Sequence, residues 1–63
     1  MKKFFVKNVA LELVYLAKDR DVVNALEDIF YYLANNNERQ YNEWREYHRE
    51  VIAREFPLFA KFL

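Results

Sequence analysis

The sequence contains one histidine, His48, which lies between Arg45 and Arg49 in the segment WREYHRE. Histidine can act as a general base, a metal ligand or a pH switch, because its ordinary pKa is about 6.5. Arginine side chains contact phosphates, and aromatic neighbours such as Trp44 can stack on bases. These residue types therefore allow acid–base catalysis, metal binding or nucleic-acid contact.

The residue types that are missing argue against catalysis. The chain has no Ser, Thr, Cys or Gly, which excludes hydroxyl and thiol triads and glycine-rich phosphate loops. Glu55 shares the helix face of His48, but it lies about 10 Å along the axis, so the two could meet only across an antiparallel dimer. We expect His48 to be a partly buried histidine with one hydrogen bond, in a protein that is not an enzyme and has no metal or cofactor.

Nucleic-acid contact through Arg45 and Arg49 is the alternative function, with help from the lysines near the N-terminus. Ten basic and ten acidic residues give a net charge of zero, so the chain lacks the strongly basic character of many nucleic-acid binders. Glu43, Glu46 and Glu50 lie on the outer face of the same helix and would repel phosphates. This pattern favours a helix that is structural or binds another protein.

Helices must position these side chains, since apolar residues recur with helical spacing and the only helix breaker is one proline. We predict helices over residues 3–18, 22–35 and 38–55, which short loops arrange as a small antiparallel all-α bundle. The single domain covers residues 1–63. A chain of this length buries only about 60% of the surface that it exposes when unfolded, so we expect dimerisation to complete the bundle.

The loops contain the residues that end and begin helices. Without glycine, Asn35 or Asn36 is the best residue for the left-handed conformation after the second helix. Side-chain oxygens of Asp and Asn accept hydrogen bonds from the first N–H groups of a helix. The expected caps are Asp19 or Asp21 for the second helix and Asn37, together with Gln40, for the third.

The first helix has apolar residues on two sides. The side that we expect in the core comprises Phe5, Val6, Val9, Ala10, Leu13, Val14, Leu16 and Ala17. On the opposite side, Phe4, Leu11 and Tyr15 are spaced as neighbours on one helix face. A monomeric bundle has no evident place for this second set, so we predict that it is an interface.

The third helix and the tail continue one apolar repeat with 3,4 spacing. Its members are Tyr41, Trp44, His48, Val51, Glu55, Leu58 and Phe62, and we expect most of them in the core. Pro57 should end or kink the helix and can start a last short turn. The tail is too apolar for a disordered terminus, and we expect it to seal the core or to swap onto a second copy, with Phe59, Phe62 and Leu63 as interface candidates.

The first residues resemble a secretion signal, because Lys2 and Lys3 precede an apolar run. Lys7, Asn8 and Glu12 interrupt that run, and the segment is shorter than the about 20 apolar residues of a membrane span. We therefore expect a cytoplasmic protein without a membrane segment. Its predicted function is protein contact, as an adaptor, inhibitor or assembly factor that forms a homodimer; Arg45, His48 and Arg49 are the candidate residues for contact with a partner or nucleic acid.

Overall fold

The chain folds into three long helices and one short helix. The computed structural model describes residues 2–63, and its helices are α1 (Lys2–Val14), α2 (Arg20–Ala34), α3 (Glu38–Ile52) and α4 (Pro57–Ala60). Residues 2–63 form no strand. The predicted all-α bundle is confirmed, as is the short segment that begins at Pro57.

Helix α2 lies at the centre of the bundle, where it packs against both α1 and α3, while α4 packs on α3. Lys3 at the start of α1 forms an ion pair with Glu38 at the start of α3. Glu55, just beyond α3, contacts the main chain of Lys18, beyond the end of α1. The first and third helices therefore run in the same direction, and α2 runs opposite to both.

The core draws residues from all four helices and from the tail. Its buried apolar members are Val6, Ala10, Val22, Ala25, Leu26, Ile29, Leu33, Tyr41, Val51, Ile52, Phe59, Ala60 and Leu63. Helix α1 contributes only two of them, Val6 and Ala10, whereas α2 contributes five. Helix α2 is thus covered on two sides, whereas only a narrow stripe of α1 itself is fully buried.

The loop residues act largely as predicted. The side chain of Asp19 caps α2 by accepting the N–H of Asp21 at 2.8 Å. Asn36 has a left-handed backbone with φ of 55°, and Asn37 caps α3 by accepting the N–H of Gln40 at 3.2 Å. The Asn37 amide also donates to the Gln40 side-chain oxygen, so Asn37 and Gln40 close the cap together, as predicted.

Helix α1 ends at Val14, earlier than the predicted position 18. The main-chain N–H groups of Lys18 and Asp19 donate to the Glu55 carboxylate, at 3.0 Å and 2.8 Å. Asp19 is extended, as its capping role requires. The chain must therefore leave the helix before these residues, after one tightened turn that runs to Ala17.

Helix α3 also ends earlier than predicted, at Ile52 instead of position 55. Phe56 has a φ of −129° and ψ of 66°, outside the helical region that a following proline disfavours. Pro57 then occupies the first position of α4, where its missing N–H costs nothing.

Five apolar residues that we predicted in the core are exposed instead: Phe5, Leu16, Trp44, Leu58 and Phe62. Of the seven residues in the 3,4 repeat only Tyr41, His48 and Val51 are buried, so the expectation that most of them lie in the core is wrong. Helix α1 packs against α2 but not against α3, so its core stripe is narrower than its apolar side. Leu16 also lies beyond the end of the helix. Trp44 is at the edge of the α2–α3 contact and remains 47% exposed.

Candidate functional site

One side of α1, opposite its buried residues Val6 and Ala10, carries exposed apolar side chains. Phe4 is 64% exposed and Leu11 40%, while Tyr15, in the turn after the helix, is 80% exposed. Asn8 lies between them and is also exposed. We call Phe4, Asn8, Leu11 and Tyr15 the outer face of α1.

Charged side chains flank the outer face on both sides. Lys7 lies on one side, with its Nζ atom 5.4 Å from the centroid of the Phe4 ring, a distance at which cation and ring attract. Glu12 lies on the other side, about 140° around the helix from Lys7 at about 100° per residue. The outer face therefore has an apolar centre with a positive and a negative border.

The C-terminal tail contributes less to an exposed surface than predicted. Phe59 and Leu63 are buried in the core of their own chain, so neither offers an exposed surface in this fold. Phe62 remains half-exposed and packs edge to face on Phe5, with 5.4 Å between ring centroids. The tail thus folds back on its own chain, and Phe62 alone of the three candidates stays accessible.

Arg49 holds that tail in place. Its Nε atom donates to the main-chain oxygen of Ala60 at 3.3 Å, and Nη2 donates to that of Leu63 at 3.0 Å. Its Nη1 atom forms an ion pair with Glu46 at 2.6 Å. Arg49 is therefore engaged within the chain, and its assignment as a contact residue for a partner or nucleic acid stays a prediction.

Arg45 is half-buried and lies beside an aromatic ring. Its guanidinium carbon is 5.9 Å from the centroid of the Tyr41 ring. Burial raises the pKa of Tyr41, an effect that Arg45 partly opposes. The guanidinium of Arg45 packs against the core, so it is less accessible to a phosphate than the guanidinium of an extended arginine.

His48 is buried, with 5% of its surface exposed. The rings of Tyr32, Trp44 and Tyr47 surround it, at centroid distances of 5.4 to 6.4 Å. Neither ring nitrogen forms a hydrogen bond with any described residue, so the expected single hydrogen bond is wrong. The sequence places Trp44 and Tyr47 near His48, but the approach of Tyr32 comes from packing of α2 on α3.

A pocket of about 220 Å³ lies beside His48 between α2 and α3. Its lining residues are Asp21, Asn24, Ala25, Asp28, Tyr47, His48, Val51 and Arg54. Burial lowers the pKa of His48, and the nearby Asp28 carboxylate opposes that effect. Arg54 lies 3.5 Å from Asp21 and 3.8 Å from Asp19, so its charge is balanced within the fold.

Glu55 does not pair with His48. Its carboxylate accepts main-chain N–H groups near the start of α2, a location where the helix dipole stabilises negative charge. Sequence reasoning missed this role, because the contact joins residues 37 positions apart. Asn8 lies on the same side of α1 as Phe4 and Leu11, as the helical spacing of the sequence predicts.

The fold and the outer face together define a small all-α bundle with one exposed apolar helix surface. Comparisons with family models, curated proteins and solved structures find no match to the chain. Across residues 2–63, no helix combines the length and apolarity needed to cross a membrane. The same residues hold no group of three or more His, Asp or Glu side chains placed to bind a metal ion.

Proposed function

We propose that this protein acts without catalysis, through protein–protein contacts, and that it forms a homodimer through the outer face of α1. An adaptor, an inhibitor or an assembly factor would work in this way. The observation that carries the proposal is the joint exposure of Phe4 and Leu11 on one side of α1 and of Tyr15 in the turn that follows it. An exposed apolar patch of this kind favours association.

The distribution of buried and exposed apolar residues in α1 supports the same proposal. Helix α1 buries Val6 and Ala10 fully, and Val9, Leu13 and Val14 pack against the core. Phe4 and Leu11 remain exposed instead, so they do less for the fold of a single chain. Fully burying one leucine or phenylalanine side chain stabilises a complex by about 1.5–3 kcal/mol. Leu11 is 40% and Phe4 64% exposed, so a second copy that covers them would recover the corresponding part of this free energy in each chain.

The test compares two identical substitutions at exposed leucines. Leu11→Glu places a charge in the outer face, and Leu58→Glu places the same charge on α4, where the leucine is also exposed. Leu11→Glu removes an apolar contact and places an unpaired carboxylate in the interface from each chain, so it should weaken the dimer at least a hundredfold. Size-exclusion chromatography with light scattering should show Leu11→Glu as a monomer and Leu58→Glu as a dimer.

Equal dimer fractions for the two variants would contradict the proposal, because the outer face would then make no contact. Circular dichroism establishes that each variant keeps its helices, so a lost dimer can be separated from a lost fold. A cytoplasmic location remains a prediction based on the polar residues that interrupt the apolar run after Lys3.

A further inference from the structure

The outer face of α1 has the spacing of a two-stranded coiled-coil seam. Phe4, Asn8 and Leu11 are separated by four and three residues, as the d, a and d positions of successive heptads are. Tyr15, in the turn after the helix, continues the spacing by four residues. Val6 and Ala10 are buried on the opposite side of the helix. The seam is therefore on the side of α1 that a partner can reach, with Phe4 at its edge beside Tyr32 and Leu33 of α2.

We propose that two copies of this chain pair through α1 in parallel, with the seam of one copy against the same seam of the other. This arrangement presupposes the homodimer proposed above and adds the direction and register of the pairing. The two-fold axis runs along the paired helices, and each copy places α2 and α3 on the side away from its partner. Flanking charges and one polar seam residue determine the direction.

The charges at the seam borders favour parallel pairing. Lys7 precedes Asn8 and occupies a g position, and Glu12 follows Leu11 and occupies an e position. In a parallel pair, each g residue lies beside the e residue five positions further along the other helix. Lys7 of each copy therefore meets Glu12 of the other, which gives two attractive contacts in the dimer.

Antiparallel pairing would place like charges together. In that geometry g positions face g positions and e positions face e positions, so Lys7 lies beside Lys7 and Glu12 beside Glu12. Side chains at both positions reach solvent, since Glu12 is exposed and Lys7 half-exposed. Both contacts would be repulsive, although screened by water and salt.

Asn8 favours the same direction. In a parallel pair the two Asn8 side chains face each other across the seam, where their amides can bond to one another. A single asparagine at an a position is known to fix the register and the two-stranded state, at a cost in stability. In an antiparallel pair Asn8 would face Leu11, and burial would leave its amide without a partner.

Reversing the seam charges tests the direction. Lys7→Glu and Glu12→Lys each turn two attractive contacts into two repulsive ones, and the double variant restores both attractions with the charges exchanged. We expect each single variant to raise the dimer dissociation constant roughly tenfold and the double variant to return it near the wild-type value. Lys61→Glu changes the net charge as Lys7→Glu does, outside the seam, and should have little effect.

Antiparallel pairing predicts a different outcome, because either single substitution merely replaces one like-charge contact with another. If none of the three charge variants changes the dimer dissociation constant, the parallel arrangement is overturned, whereas the homodimer is not. A protein that is monomeric throughout would overturn both. Added salt should shrink the differences among the variants if charge is their cause.

Disulfide trapping tests the register without relying on charge. The natural chain has no cysteine, so Phe4→Cys carries a single thiol at a d position. Parallel pairing brings the two thiols together, and oxidation should link most of the protein as dimers. Antiparallel pairing would set them about 16 Å apart along the helices, too far for a disulfide.

The control for trapping is Lys61→Cys, which places a thiol at an exposed position outside the seam. It reports how much linking arises from chance collisions under the same oxidising conditions. Phe4→Cys must exceed this background to support the parallel register. Equal linking of the two variants would contradict it.

Discussion

The imidazole nitrogen Nε2 of His48 lies 3.6 Å from the carboxylate oxygen Oδ2 of Asp28. This separation is longer than a hydrogen bond, although the ring is almost fully buried. Burial lowers the pKa of His48 below its ordinary value of 6.5, and attraction to Asp28 offsets only part of that effect. The fold therefore favours the neutral imidazole.

We expect the free energy of unfolding to decrease as the pH falls through about 6.5. The unfolded chain binds the His48 proton more tightly than the folded chain does, so stability rises with pH across this range. Urea denaturation at about pH 8, 6.5 and 5 measures the effect. His48→Phe keeps a ring but cannot titrate, and its stability should fall less over the same interval. A wild-type protein that gained stability toward pH 5 would show that Asp28 outweighs burial.

Glu55 should stabilise the connection between α1 and α2. Its carboxylate accepts the N–H groups of Lys18 and Asp19, and hydrogen bonds to a charged group contribute about 1.5–3 kcal/mol. We expect Glu55→Ala to lower the free energy of unfolding by about 2 kcal/mol. Glu50→Ala removes an exposed carboxylate from α3 and should change stability by less than about 0.5 kcal/mol. Similar losses for both variants in urea denaturation would argue against a special role for Glu55.

Asn37 should stabilise α3 as its N-terminal cap. The side chain accepts the N–H of Gln40, and replacing such a cap with alanine costs about 1 kcal/mol. Asn42→Ala is the matched control, because it makes the same change at an exposed position within the helix, where alanine favours helix formation. An unchanged melting midpoint for Asn37→Ala would show that the cap contributes nothing.

Arg49 should keep the C-terminal tail against the bundle. Arg49→Ala removes the donors to the main-chain oxygens of Ala60 and Leu63, so the tail should exchange its amide hydrogens faster. We expect a loss of about 2 kcal/mol in unfolding free energy, since the two bonds come from a charged group and are partly buried. Arg39→Ala breaks only a surface pair with Glu43 and should leave exchange in the tail unchanged. Tail protection that survives in Arg49→Ala would contradict this role.

The sequence predicts local features of the fold well because they depend on neighbouring residues. The left-handed Asn36, the cap at Asn37 and the start of α4 at Pro57 each follow from the conformational preferences of one or two residues. The three helices follow from apolar spacing in the same way. Their ends are harder to predict: α1 ends early because Glu55, far away in sequence, takes hydrogen bonds from the chain beyond it.

The candidate site is predictable only in part for the same reason. Spacing identifies Phe4, Leu11 and Tyr15 as a second apolar set, and they are exposed. Spacing gives no means of telling that Arg49 would reach the tail or that Leu63 would be buried. These outcomes depend on how α4 folds back against α3, which involves contacts between segments and not the pattern within one helix.

Sedimentation equilibrium of the wild-type protein tests the proposed homodimer most directly. Over a concentration series, we predict a weight-average mass that rises reversibly from one chain toward two and then levels off. The series should extend to about 1 mM, because a dimer with an association free energy of only about 4 kcal/mol is still substantially populated at that concentration. The mass of a single chain at every concentration would contradict the proposal that this protein works as a homodimer.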